Sequence, residues 1–89
     1  MVIYLKTINE FEYHKNMGIL IDVRDPISYN EKHNPDSINI YYDKLLMNYK
    51  NLLDKNKKYF LICDKGRKSK QAVRILSFYG YDVTYVINS

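Results

Sequence analysis

The sequence contains no tryptophan, one cysteine, two prolines and three glycines in 89 residues. Each scarcity excludes something. One cysteine, Cys63, allows neither an internal disulfide nor a multi-cysteine metal site. It fits a reducing, cytoplasmic setting. So few glycines and prolines argue against collagen-like sequence, repeat arrays and long linkers. The longest apolar runs are four or five residues, against the roughly 20 a membrane-spanning helix needs. The opening stretch MVIYLKTINE has no cationic segment followed by a long apolar one, so it does not read as a signal peptide.

What is present fits one small globular domain over residues 1–89. Hydrophobic residues make up 46%, enough for a packed core near the lower size limit for a single domain. Net charge is +4. No dense basic block appears; Lys55, Lys57 and Lys58 fall in a turn, and the charge reads as a solvated lysine-rich surface. No stretch resembles an RNA-binding motif, so no direct nucleic-acid contact is expected. Of the ten tyrosines, Tyr41, Tyr42, Tyr79, Tyr81 and Tyr85 read as packing residues rather than a platform for bases.

Hydrophobic patterning predicts alternating strands and helices. Val2 to Leu5 reads as a strand. Thr7 and Glu10 have capping-box spacing, which predicts a helix from Ile8 to Asn16 ended by Gly18. Ile19 to Val23 is an apolar run of the buried, parallel-strand kind. Asp25-Pro26 starts a short helical turn, His33 to Asp36 forms a turn, and Ser37 to Ile40 alternates as a strand. A helix is expected over Tyr42 to Leu53, with Leu45, Leu46, Tyr49 and Leu52/Leu53 inward. A strand follows over Lys58 to Ile62. A second helix runs from Lys68 to Tyr79, with Ala72, Ile75, Leu76 and Tyr79 as its stripe and Gly80 as its cap. Asp82 to Ile87 closes as a strand, with Val83, Tyr85 and Ile87 on one side. The pattern predicts an α/β fold with a mostly parallel sheet of about five strands flanked by helices.

Cys63 sits at the carboxyl end of a strand, where parallel α/β sheets place their ligands. Gly66 allows a tight backbone turn. Amides from Asp64 to Ser69 enter a helix N-terminus, which favours an anion. Lys65, Arg67 and Lys68 add three cations within a few residues. Such surroundings favour a thiolate nucleophile. The bland alternative is a small buried side chain finishing a strand.

Three segments resemble the rhodanese-like family of sulfurtransferases. Cys63, Gly66 and Ser69 match its C-x-x-G-x-x-S loop, in the GRxS form as Gly66-Arg67-Lys68-Ser69. Leu20-Ile21-Asp22-Val23-Arg24-Asp25 resembles its strand ending in Asp-Val-Arg. Glu31 to Ile40 resembles its glutamate followed by H-I-P-G-A-I-N-I, with Asn34, Asp36 and Ser37 replacing Ile, Gly and Ala. The resemblance covers roughly Ile19 to Val86. Family members usually continue with a Gly-Gly segment and a terminal helix carrying a tryptophan. This chain stops at Asn88-Ser89, which predicts a less covered sheet.

The resemblance implies sulfur transfer without a metal or organic cofactor. Cys63 would take a sulfane sulfur from thiosulfate, a polysulfide or a protein persulfide. It would then pass the sulfur to a thiol or cyanide. Asp64, Lys65, Gly66, Arg67, Lys68 and Ser69 would bind the donor, a small sulfur-containing anion. Asp22 and Arg24 would support the loop from the neighbouring strand, or merely form local ion pairs, Arg24 with Glu31 or Asp25. His33 reads as a turn-packing residue and His14 as exposed. A protein persulfide donor or acceptor, and a monomer or weak homodimer, complete the expectation. One alternative is a non-catalytic rhodanese-like interaction or relay module. A cysteine phosphatase or arsenate reductase is another. The phosphatase loop has about five residues between cysteine and arginine, so that the guanidinium grips phosphate with two hydrogen bonds. Here three residues separate Cys63 from Arg67, and the sixth residue after Cys63 is Ser69.

Overall fold

The computed structural model describes residues 5–88. The element order is β1 (Thr7–Asn9), a 3-10 turn (Glu10–Glu12), β2 (Ile19–Asp22), α1 (Pro26–Glu31), β3 (Ser37–Asn39), α2 (Tyr42–Leu52), β4 (Lys58–Ile62), α3 (Arg67–Phe78) and β5 (Asp82–Ile87). The strands form one five-stranded sheet in the order β1-β5-β4-β2-β3, with every pairing parallel.

The inner strands β2 and β4 are the continuous apolar runs of the sequence. Both are screened on two faces, so alternation is unnecessary there. Ile21, Val23, Leu61, Cys63 and Val83 face α2 and α3, whose Leu45, Ala72, Val73 and Leu76 complete that core layer together with Leu53 at the end of α2. On the other face Leu20, Phe60, Ile62 and Val86 are buried with Tyr13, and the half-buried Ile8 packs against them. The Tyr13 ring packs 5.2 Å from that of Phe60, and its hydroxyl donates to the Gly18 carbonyl at 2.7 Å. That face is not open at these positions: Leu20 and Val86 are each 1% exposed.

The N-terminal expectation needs correcting. Val2 to Tyr4 of the first expected strand lie outside the described residues, and Leu5 is not in a strand. The helix expected from Ile8 to Asn16 is absent. Thr7–Asn9 pairs instead with Tyr85, Val86 and Ile87 of β5. Glu12, not Glu10, reaches back, accepting from the Asn9 backbone N–H at 3.3 Å and from Asn9 Nδ2 at 3.0 Å. The segment has too few apolar residues to bury a helical stripe, and a vacant sheet edge outweighs a weak helical preference. Gly18 caps no helix. A Cβ there would lie 2.5 Å from the Lys58 carbonyl oxygen, so glycine serves a close approach of two backbones.

The C-terminal half follows expectation closely. The Gly80 N–H donates to Ser77 O at 3.0 Å and the Tyr81 N–H to Leu76 O at 3.0 Å, with Gly80 at φ 92°. This is a Schellman end. Tyr79 belongs to no inner stripe; it is 47% exposed and stacks on Tyr49. Ile87 is likewise exposed, while Val86 turns inward on the opposite face. Leu53, rather than Leu52, enters the core, just beyond a kink at Asn48 in α2. No helix among the described residues is long and apolar enough to cross a membrane.

Candidate active site

Cys63 follows β4 directly, at the carboxyl edge of the sheet and next to β2. The register Asp22↔Ile62 sets the end of β2 beside it. The Val23 N–H bonds to Ile62 O at 3.0 Å and extends this pairing past the strand end. Two elements therefore deliver Asp22, Arg24 and Cys63 to one place.

The loop is shorter than the sequence suggests. α3 begins at Arg67 with Gly66 as its N-cap, not near Lys68 or Ser69. Gly66 makes this possible: it holds φ 78°, a left-handed conformation that costs glycine little. A Cβ at Gly66 would lie 2.3 Å from the Tyr85 hydroxyl, so space demands glycine as well. The early start turns Ser69 inward. Ser69 is fully buried, with its hydroxyl 3.2 Å from Cys63 Sγ. Its backbone N–H donates to Sγ at 3.4 Å, and its hydroxyl also donates to the Gly66 carbonyl at 3.3 Å. Cys63 is 4% exposed and is a free thiol. The N–H is a fixed donor to the sulfur; the hydroxyl's single proton can serve either the Gly66 carbonyl or Sγ, and a Cys63 thiolate, having no proton of its own, can only accept it.

A cavity of about 420 Å³ opens beside Cys63, lined by Asp22, Arg24, Lys32, His33, Asp64 and Asn88 among others. Asp22 and Arg24 form its structured wall. Arg24 Nε donates to both Asp22 carboxylate oxygens at 3.1 Å, and Nη2 adds a bond of 2.8 Å. Nη2 also donates to the Lys32 carbonyl at 2.6 Å. The hydrogen bond with Asp22 raises the Arg24 pKa further, so the guanidinium stays charged. Asn39 Nδ2 ties this corner to β3 through the carbonyls of Asp22 and Arg24 at 3.0 and 2.9 Å. The partner of Arg24 is Asp22, not Glu31 or Asp25.

The loop residues divide. Asp64 joins Cys63 at the cavity. Its carboxylate accepts the Lys65 N–H at 2.9 Å, so that amide is already occupied. Lys65, Gly66 and Arg67 border a separate depression with Lys70, Gln71 and Arg74. Lys68 turns toward α2. Its ammonium donates to the Tyr41 hydroxyl at 3.1 Å and sits 4.8 Å from that ring's centre; the Tyr41 hydrogen bond raises its pKa.

The cavity walls also use residues that sequence reasoning did not select. His33 stacks on Tyr29 at 3.8 Å and bonds through Nδ1 to the Tyr29 carbonyl at 2.6 Å. Asn88 arrives from beyond β5 and donates to the Asp64 carbonyl. The one available signal was the His33-Asn34-Pro35 turn, whose place beside Cys63 depends on the long-range β2–β3 pairing.

Known proteins share this fold. A rhodanese-related protein from Thermoplasma volcanium is 32% identical, with TM-score 0.81, over 91% of this chain and 82% of that one. The reduced CoADR-RHD of Bacillus anthracis is 30% identical, with TM-score 0.83, over 92% of this chain and 15% of its own. An NAD-dependent persulfide reductase from A. fulgidus is 25% identical, with TM-score 0.72, over 92% of this chain and 15% of its own. The family model for the Rhodanese-like domain matches residues 5–89, nearly the whole sequence. The chain belongs to the Rhodanese-like domain family.

Proposed function

We propose that the protein is a sulfurtransferase that carries a sulfane sulfur on Cys63. The observation that carries this reading is Ser69, whose backbone N–H donates to Sγ and whose hydroxyl lies 3.2 Å from it, beside an open cavity. Donors fixed in advance stabilise charge on sulfur without reorganising during the reaction. With thiosulfate, the Cys63 thiolate attacks the outer sulfur. The new sulfur–sulfur bond forms as the old one breaks, and sulfite leaves with the electron pair. A thiol or cyanide then takes the outer sulfur and restores Cys63. The sulfur moves as a zero-valent atom, so no outside oxidant or reductant is consumed.

Arg24 lies on the cavity wall, fixed by Asp22, and with Lys32 supplies the positive charge there that an anionic donor would meet. Asp64, Lys65, Gly66, Arg67, Lys68 and Ser69 remain the proposed donor-binding loop. Ser69 and Asp64 act at the cavity; the cations Lys65, Arg67 and Lys68 act by field rather than contact. The persulfide chemistry named for the A. fulgidus relative supports the same substrate class.

Intact mass spectrometry tests the reading. Incubation with thiosulfate or polysulfide should add one sulfur, about 32 Da, because a covalent intermediate is the first half of a ping-pong cycle. Cys63→Ser should take up none. A wild-type protein that gains no sulfur from either donor leaves a binding module as the better description.

A further inference from the structure

Four cations crowd one side of the Cys63 loop. Lys65, Arg67, Lys70 and Arg74, with Gln71, border a depression of about 430 Å³. Arg67, Lys70, Gln71 and Arg74 recur along α3 at steps of three and four residues, so they share one helix face. The Lys70 ammonium rests 5.3 Å from the centre of the Tyr85 ring. Among the described residues, no carboxylate comes within ion-pair distance of any of the four. Like charges at this spacing repel and destabilise the helix that holds them. An anionic partner would turn that repulsion into attraction. One turn beyond Arg74, Phe78 is 85% exposed, and the last turn of α3 carries no cation. The face is therefore cationic for about 10 Å along the helix and then apolar.

We propose that this face of α3 docks an acidic segment of a protein that exchanges sulfur with Cys63. The proposal rests on the sulfur-transfer reading above. Position supports it: Asp64 lines the Cys63 cavity while Lys65 and Gly66 line the cationic depression. The loop is the ridge between the two. A segment laid along α3 brings a cysteine across that ridge to the cavity mouth. A protein suits the face better than a nucleic acid. The cationic stretch is short and ends in a bare phenyl ring, and the route to Cys63 passes the exposed carboxylate of Asp64. A polypeptide can confine its acidic side chains to the α3 face and present uncharged residues where it crosses that carboxylate, whereas a phosphodiester chain carries a charge at every step. In the transfer, the Cys63 thiolate attacks the outer sulfur of the partner's persulfide. A sulfur–sulfur bond forms on Cys63, the partner's breaks, and the partner's thiolate leaves.

The probe is a synthetic peptide with one persulfidated cysteine near one end, separated by uncharged residues from a run of glutamates and one leucine. Its control carries glutamines instead of glutamates. The paired protein variant is Gln71→Glu with Arg74→Glu, at two exposed positions outside the donor-binding loop. At about 10 mM salt the acidic peptide should bind wild type about tenfold tighter than the control. The preference should shrink toward about 150 mM salt, where the screening length falls to about 8 Å. The variant should lose the preference, while loading from thiosulfate stays within about twofold. Equal binding of the two peptides, or an unchanged preference in the variant, overturns the proposal. Tighter binding of a single-stranded oligonucleotide of equal charge overturns it in favour of a nucleic acid. Sulfur loading without peptide preference sinks the docking face alone. Peptide preference with no sulfur on Cys63 from any donor upholds the face and sinks the transfer reading.

Discussion

Alanine at Gly66 offers a test of how the Cys63 loop is held. The substitution meets two separate obstacles. Alanine must adopt φ 78°, which costs a non-glycine residue about 1–2 kcal/mol. Its Cβ must also displace the Tyr85 hydroxyl, 2.3 Å away, and overpacking of that kind costs about 1–3 kcal/mol. A stiffer unfolded chain returns about half a kcal/mol. Gly66→Ala should therefore lose about 2–4 kcal/mol, a large part of the total stability of about 4–13 kcal/mol expected at this length. Tyr85→Phe separates the two terms, because without the hydroxyl the nearest atom is Cζ at 3.2 Å. In that background the same alanine should cost only about 1–2 kcal/mol. Urea unfolding of the four proteins measures the coupling. With a slope of about 1 kcal/mol per molar, Gly66→Ala should lower the midpoint by about 2 M or more in wild type, and by about half as much beside Phe at 85. Equal losses in both backgrounds would show that the hydroxyl contact is irrelevant. A loss below about 0.5 kcal/mol would refute the left-handed N-cap altogether.

Other substitutions probe the rest of the site. Ser69→Ala removes the hydroxyl 3.2 Å from Sγ but keeps the backbone donor; sulfur loading should slow by about tenfold with a stability loss of about 1 kcal/mol, read by quenched mass spectrometry and urea unfolding. Arg24→Lys keeps the charge but cannot reproduce the forked contact with buried Asp22. It should cost about 2 kcal/mol, and a loss below about 0.5 kcal/mol would mean that the fork contributes little. Tyr13→Phe removes the bond to the Gly18 carbonyl and should cost about 1 kcal/mol at neutral pH. Burial first, and then Asp36, raise the Tyr13 pKa above its ordinary value of 10.0. Its contribution is thus complete below about pH 10 and fades as pH rises through the folded-state value. The stability gap between wild type and Tyr13→Phe should narrow in alkali; a constant gap would contradict the assignment.

The central and C-terminal elements were legible because local signals agreed with the fold. The apolar runs of β2 and β4, the Asp25-Pro26 helix start and the Gly80 end each carry their own chemistry in a few residues. The side chain of Asp25 accepts the Ser28 N–H at 2.9 Å, as an N-cap should. β1 departs from its local pattern because Thr7 and Glu10 imitate a capping box, while the decisive partner, β5, lies at the other end of the sequence. The site divided along the same line. Cys63, Gly66 and Ser69 lie within seven consecutive residues, and their spacing carries their geometry. The Asp22–Arg24 fork, the His33 wall and the contact of Asn88 with Asp64 depend on strand order, which no local pattern encodes. The cations of the loop showed a third kind of gap. Charge can be counted in a sequence, but the direction a side chain takes from a helix start cannot, and Lys65 and Lys68 diverge.

The pairing of β1 with β5 has a consequence for synthesis. The register joins Asn9 to Ile87, 78 positions later. At translation rates of about 5–20 residues per second, β1 waits about 4–16 s for its partner strand. Strands β2, β3 and β4 meet no such delay, since their partners are made sooner. The growing chain thus carries its first strand unpaired until the last is made, and the sheet is closed from its far edge only when β5 arrives.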